Sequence, residues 1–170
     1  MRQNLWPNAL VKLCGAALVR FAYSTVIQSE VVWRLPVTYY LDKAEWPTIP
    51  VPHDCVIHSI SISDEFLVLD FEQEISVHDS VQRICPDAKS LTIKIHLIDT
   101  FEIYQLKTRK FPTIKRMYEE IGFEKLVGLV KRNRVEYLYH YVAYQALIIS
   151  CSINLILDLR ADYVEFLWNM

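Results

Sequence analysis

His53-Asp54-Cys55-Val56-Ile57-His58-Ser59-Ile60-Ser61-Ile62-Ser63-Asp64-Glu65-Phe66-Leu67-Val68-Leu69-Asp70-Phe71 reads as a β-hairpin. Val56, His58, Ile60 and Ile62 fall on one side of the first strand, and Ile57, Ser59 and Ser61 on the other. Ser63-Asp64-Glu65 supplies the turn. Leu67, Leu69 and Phe71 then alternate with Val68, Asp70 and Glu72. A period of two over adjacent runs marks half-buried antiparallel strands, because successive side chains of a strand point to opposite faces.

Outward from the hairpin, the same pattern recurs. Leu91, Ile93, Ile95 and Leu97 alternate with Thr92, Lys94 and His96, and Ile98 to Leu106 is expected to return antiparallel through an Asp99-Thr100 turn. Val135, Tyr137, Tyr139 and Tyr141 alternate with Glu136, Leu138 and His140. Leu147 to Leu159 places Ile149, Cys151, Ile153, Leu155 and Leu157 on one face. Arg160-Ala161-Asp162 is expected to turn the chain so that Tyr163 to Trp168 pairs back. Between these runs, Ile114, Met117, Tyr118, Ile121, Leu126, Leu129 and Val130 follow helical spacing. Thr113 is placed to cap that helix, Gly122 to divide it, and Lys131 and Arg132 to close it with cations at its C-terminal end. Glu74 to Lys89 reads as irregular, with a turn at Cys85-Pro86-Asp87.

Upstream, Leu10, Leu13, Ala17 and Phe21 recur at helical steps, with Pro7 at a first turn. Residues 1–25 therefore read as a helix packed on the sheet, with a targeting segment as the alternative. The uncharged run Leu13 to Val19 is too short for a bilayer span, which takes about 20 residues. Val26 to Leu35 is β-rich, and Val37 to Leu41 resumes a strand after Pro36. The fold class implied is α+β: a mostly antiparallel sheet with one or two helices packed on it, in a single domain spanning residues 1–170.

Composition narrows the function. The chain of 170 residues carries a net charge of −2, so no global field draws nucleic acid or membrane. Three glycines, Gly15, Gly122 and Gly128, are scattered, whereas phosphate-cradling loops and nucleophile elbows need glycines close together. The four cysteines, Cys14, Cys55, Cys85 and Cys151, form no CxxC pair and read as buried hydrophobes of a reducing, cytoplasmic protein. No cofactor is called for.

Four constellations carry candidate chemistry. Asp42 to His53 is a loop punctuated by Pro47, Pro50 and Pro52; Trp46 within it is a candidate partner anchor, against the plainer expectation that it folds back to cap the core. His53, Cys55 and His58 are potential metal ligands, but no second ligand pair follows at finger-like spacing, so no metal site is assigned. His53 and Asp54, as neighbours on a strand, would point apart and form no dyad, and Cys55 with a distant His would be a thiol nucleophile on residue type alone. Asp70 and Glu72 share a strand face, as paired hydrolytic carboxylates would, and as ordinary polar residues on an outer face also do. Finally, Lys107, Arg109, Lys110, Lys115 and Arg116 form a basic segment with Phe111 and Tyr104 nearby, which suits single-stranded nucleic acid or an acidic protein.

His-Asp-Cys-x-Ile at 53–57 opening a hairpin, a mid-chain sheet, and an aromatic C-terminal strand ending Leu167-Trp168-Asn169 resemble small bacterial immunity proteins of polymorphic and contact-dependent toxin systems. The likeness covers mainly residues 53–72 and 146–169. It implies a non-enzymatic inhibitor that binds a cognate toxin, with Trp46, His53 and Asp54 as the candidate contact residues. The alternatives are a nucleic-acid-binding module using 107–116 and a metal- or thiol-dependent enzyme around 53–58.

Overall fold

The computed structural model describes residues 36–109 and 115–170, all within one compact unit, residues 32–170. The helix expected near the N-terminus, the strand at 26–35, Cys14, Lys110 and Thr113 lie outside the described residues. Within them the class is α+β, with a predominantly antiparallel sheet and two helices packed on it. The strands are β1 (Val37–Tyr40), β2 (Val56–Ser63), β3 (Phe66–Phe71), β4 (Ser90–Leu97), β5 (Glu102–Arg109), β6 (Lys115–Glu120), β7 (Val135–Ala143), β8 (Ala146–Cys151) and β9 (Leu155–Asn169). The helices are α1 (Asp79–Gln82), preceded by a single 3-10 turn at Ile75–Val77, and α2 (Phe123–Arg132).

The opening hairpin forms as read. β2 and β3 pair from Ser63↔Phe66 down to Ile57↔Phe71, with Asp64 at φ 54° in the tight turn. Asp tolerates this left-handed backbone better than most residues. Leu67, Leu69 and Phe71 are buried as expected, each contributing about 1.5–3 kcal/mol of burial. The faces of β2 differ from the expectation. Its register slips by one residue between Ile57 and Ser59, a β-bulge at His58. The bulge switches the inward set, so Ile57 and Ile60 are both buried; Ile62 shares the face of Ile60 but is exposed next to the turn.

β9 organises the sheet. One of its edges carries β4 along Ala161–Asn169 and then β5 along Leu155–Asp158; the other carries β1 along Tyr163–Phe166 and then β8 along Leu155–Arg160. The turn expected at 160–162 is absent because this segment is a bulge inside one continuous strand: His96 pairs with Tyr163 and Leu97 with Ala161, leaving Asp162 over. Leu155, Leu157, Leu159 and Ala161 are buried, then Val164, Phe166 and Trp168, a phase change of one residue. The reversal instead falls at Ser152-Ile153-Asn154, where Ile153 and Asn154 have positive φ. β4 and β5 do not form the expected hairpin. Both run antiparallel to β9, so they lie end to end along it.

β5 pairs instead with β6, which replaces the first half of the expected helix. Met117 and Tyr118 suit either period, and pairing to β5 decides for the strand; Ile114 lies outside the described residues. Gly122 then caps α2, whose last turn holds Lys131 and Arg132 as expected. β7 also bulges, at Leu138, so Tyr137 is buried but Tyr139 and Tyr141 are exposed. The buried Tyr137 hydroxyl is satisfied by His140 Nδ1 at 2.8 Å.

The pairings close a circuit, β2–β3–β4–β9–β8–β7, and return to β2 through only two residue pairs, Val56↔Glu136 and Ile57↔Val135. Beyond that short seam α2 packs against β2 and buries Leu126 and Val130.

Candidate functional site

The candidate contact residues of the hairpin entry sit in a turn. Trp46 is 62% exposed, so it does not cap the core. Asp54 has φ 66°, and this kink brings His53 Nδ1 to 2.8 Å from Asp54 Oδ2, a contact that two neighbours on a flat strand could not make. The turn is pinned from both sides: Asp54 N–H donates to the Tyr137 carbonyl, Tyr137 N–H donates to the Cys55 carbonyl, and the Ser80 hydroxyl donates to the His53 carbonyl. His53 and Asp54 border a shallow cleft of about 380 Å³ with His78, Asp79, Ser80 and Arg83.

The residues weighed for metal or thiol chemistry do not converge in this cluster. Cys55 faces the core, and burial, with Glu72 and Asp54 adding to it, pushes its thiol up to about 12. A thiol so shifted is protonated at neutral pH and is a poor nucleophile or ligand. His58 sits on the exposed bulge of β2. Among the described residues no group of three or more His, Cys, Asp or Glu is arranged to hold a metal ion. Asp70 accepts the hydroxyls of Ser59 and Thr92 at 2.9 and 2.7 Å, and Glu72 accepts the Val56 N–H and contacts His78 Nε2, each at 3.0 Å. Both carboxylates thus tie strands and loops together.

The basic segment is a strand pair. In the β5–β6 register Lys107 opposes Met117 and Thr108 opposes Arg116, so Lys107 and Arg116 lie on opposite faces. Lys107 is ion-paired with Glu119. Arg109 and Lys115 are backbone register partners. Of the cations named in the sequence, Arg116 is thus set apart from Lys107, and Lys110 lies outside the described residues.

Two features were not picked out from the sequence. The first is His96, whose Nδ1 lies 2.6 Å from Asp162 Oδ1 and whose Nε2 lies 3.1 Å from Glu65 Oε2. Its ring stacks on Tyr163 at 4.7 Å and meets Phe66 edge-on at 5.1 Å. Two carboxylates facing the two ring nitrogens favour the doubly protonated ring. Burial lowers the His96 pKa, but the hydrogen bonds and charges of Asp162 and Glu65 outweigh it and the net direction is up.

The second feature is the outer face of β7-β8-β9-β5-β6. Cross-strand partners share a face, so the register alone builds its rows. One row runs Tyr139, Ser150, Ile156, Tyr104, Glu120; the next runs Tyr141, Ile148, Asp158, Glu102; Leu106 and Tyr118 begin a third. Tyr118, Tyr139, Tyr141 and Ile148 are exposed, and the Tyr139 and Tyr141 rings meet edge-on at 5.2 Å. Behind them Leu147, Ile149, Leu155, Leu157 and Ile103 fill the core. No helix among the described residues is long and apolar enough to cross a membrane. Compared with known protein-family models, with curated proteins and with solved structures, the chain matches none of them.

Proposed function

We propose that this chain is a non-enzymatic protein-binding module, and that the protein it binds is a toxin which it neutralises. The observation that carries the binding reading is the tyrosine-rich outer face of β5 to β9. Tyrosine offers large, rigid, amphipathic contact area at low entropic cost and is enriched at the energetic centres of protein interfaces. A row of exposed tyrosines and isoleucine is apolar surface that this fold leaves uncovered, which suits a partner. The toxin reading rests on the resemblance of residues 53–72 and 146–169 to small immunity proteins. On this reading Trp46 and the His53–Asp54 turn are secondary contacts.

The test is affinity capture from the native host with and without nuclease, followed by co-expression of the captured protein. The expected result is one stoichiometric protein that survives nuclease, is toxic alone, and is tolerated when this chain is present. Tyr139→Ala with Tyr141→Ala should abolish capture while leaving the unfolding midpoint unchanged. Recovery of nucleic acid that nuclease or salt removes would favour the 107–116 segment instead. A robust catalytic activity lost on a single substitution would overturn the reading.

A further inference from the structure

On this same outer face Tyr118 and Tyr139 line one cleft of about 390 Å³, together with Leu106, Ser150, Asn154 and Ile156. Tyr118 stands on β6 and Tyr139 on β7, with β8, β9 and β5 between them. The cleft thus has an aromatic residue on each flank and a floor of apolar side chains and small hydroxyls. Its border is acidic. Glu102 and Glu120 flank Tyr104 on the face, Asp158 is the register partner of Glu102, and the Tyr104 hydroxyl donates to the Glu102 carboxylate. The Tyr104 phenol is pushed up to about 12, first by that hydrogen bond and also by the charges of Glu102, Glu120 and Asp158. Three carboxylates thus stand around Tyr104 on this face. On the same face Arg116 neighbours Tyr118 on the side away from Glu120, and Arg160 is the next residue of that face beyond Asp158.

We infer that the cleft between Tyr118 and Tyr139 takes an arginine side chain presented by the partner protein. The inference rests on the protein-binding reading above and names the chemistry of its anchor. A guanidinium stacks on aromatic faces and forks onto carboxylates; the cleft supplies the rings, and the carboxylates stand beside it on the same sheet face. An ammonium would gain the charge but lose the planar stacking. A phosphate or an acidic peptide would meet Glu102, Glu120 and Asp158 and be repelled.

The experiment uses the isotope-labelled full chain and blocked Gly-Arg-Gly, Gly-Lys-Gly and Gly-citrulline-Gly peptides as probes. Citrulline keeps the shape of arginine without its charge. The arginine peptide should shift the amides of Leu106, Tyr118, Tyr139, Ser150 and Ile156 saturably, the citrulline peptide should not, and the lysine peptide should bind more weakly. Tyr118→Ala and Glu120→Gln should each weaken the arginine peptide by about tenfold. Equal responses to arginine and citrulline, shifts elsewhere on the molecule, or none at all would overturn the inference. Repeating the host capture with Glu102→Gln, Glu120→Gln and Asp158→Asn combined separates the two claims. Capture lost in this variant supports the arginine anchor. Capture kept here but lost in the tyrosine variant overturns the anchor and leaves protein binding standing. Capture indifferent to both overturns the anchor and the tyrosine face as the binding surface.

Discussion

Both ring nitrogens of His96 face carboxylates, so its charged form is favoured in the fold relative to the unfolded chain. With the folded pKa raised, the contribution is fully present below the unfolded value of about 6.5 and fades as pH rises through the folded value. The expected outcome is a urea midpoint difference between the native chain and His96→Gln that is largest near about pH 5 and disappears toward about pH 9. A difference that stays flat across that range would remove charge from the explanation and leave only packing on Tyr163. The cysteines give a second prediction at this scale. Cys55 and Cys151 are buried, with thiols pushed up to about 12, and Cys85 is buried as well. In a Cys14→Ser chain, thiol reagents at about pH 8 should label these positions only as fast as the fold opens, measured by mass spectrometry against time. Prompt labelling of Cys55 would contradict its placement.

Bulges decide which elements could be read in advance. β3 and β4 were legible because their pairing leaves the alternation of Leu67, Leu69 and Phe71, and of Leu91, Ile93 and Ile95, unbroken. In β2, β7 and β9 an extra residue shifts the phase, at His58, Leu138 and Asp162. A phase shift in a sequence looks like the end of a strand, which is why 160–162 reads as a turn. β6 shows the other limit: Met117 and Tyr118 fit three- and four-residue steps toward Ile121, and only β5, chosen by the fold, makes them a strand. The tyrosine face was illegible for the same cause, since its rows join residues from Tyr104 to Tyr139 through register rather than spacing. By contrast the Asp64-Glu65 turn and the 42–53 loop are local and read correctly. The element with the clearest energetic test is α2, which covers β2 beyond the two-pair seam with β7. Leu126→Ala should cost about 2–5 kcal/mol by chemical denaturation. It should also raise hydrogen exchange at Ser59 and Ser61 first, because β2 pairs with β7 only through Val56 and Ile57.

For the described unit as a whole, one strand carries most of the long-range pairing. β9 holds β1, β4, β5 and β8, and all of these but the adjacent β8 lie far from it in sequence. Non-local pairing slows folding, since loop closure must precede the contacts that reward it. Refolding followed by the fluorescence of the buried Trp168 is expected on the order of milliseconds to seconds. A microsecond phase accounting for the full amplitude would contradict this topology. The direction of β1 beside β9 has a mechanical consequence. Val37 is paired with Phe166 and Tyr40 with Tyr163, so residue 36 and residue 170 leave the sheet at the same end. Tension applied between these two points would load the hydrogen bonds one after another, like a zipper, instead of shearing them all at once. The unit should therefore yield at low force, and a motor drawing in residue 170 would strip β9 from β1 and β4 together before it met any other strand.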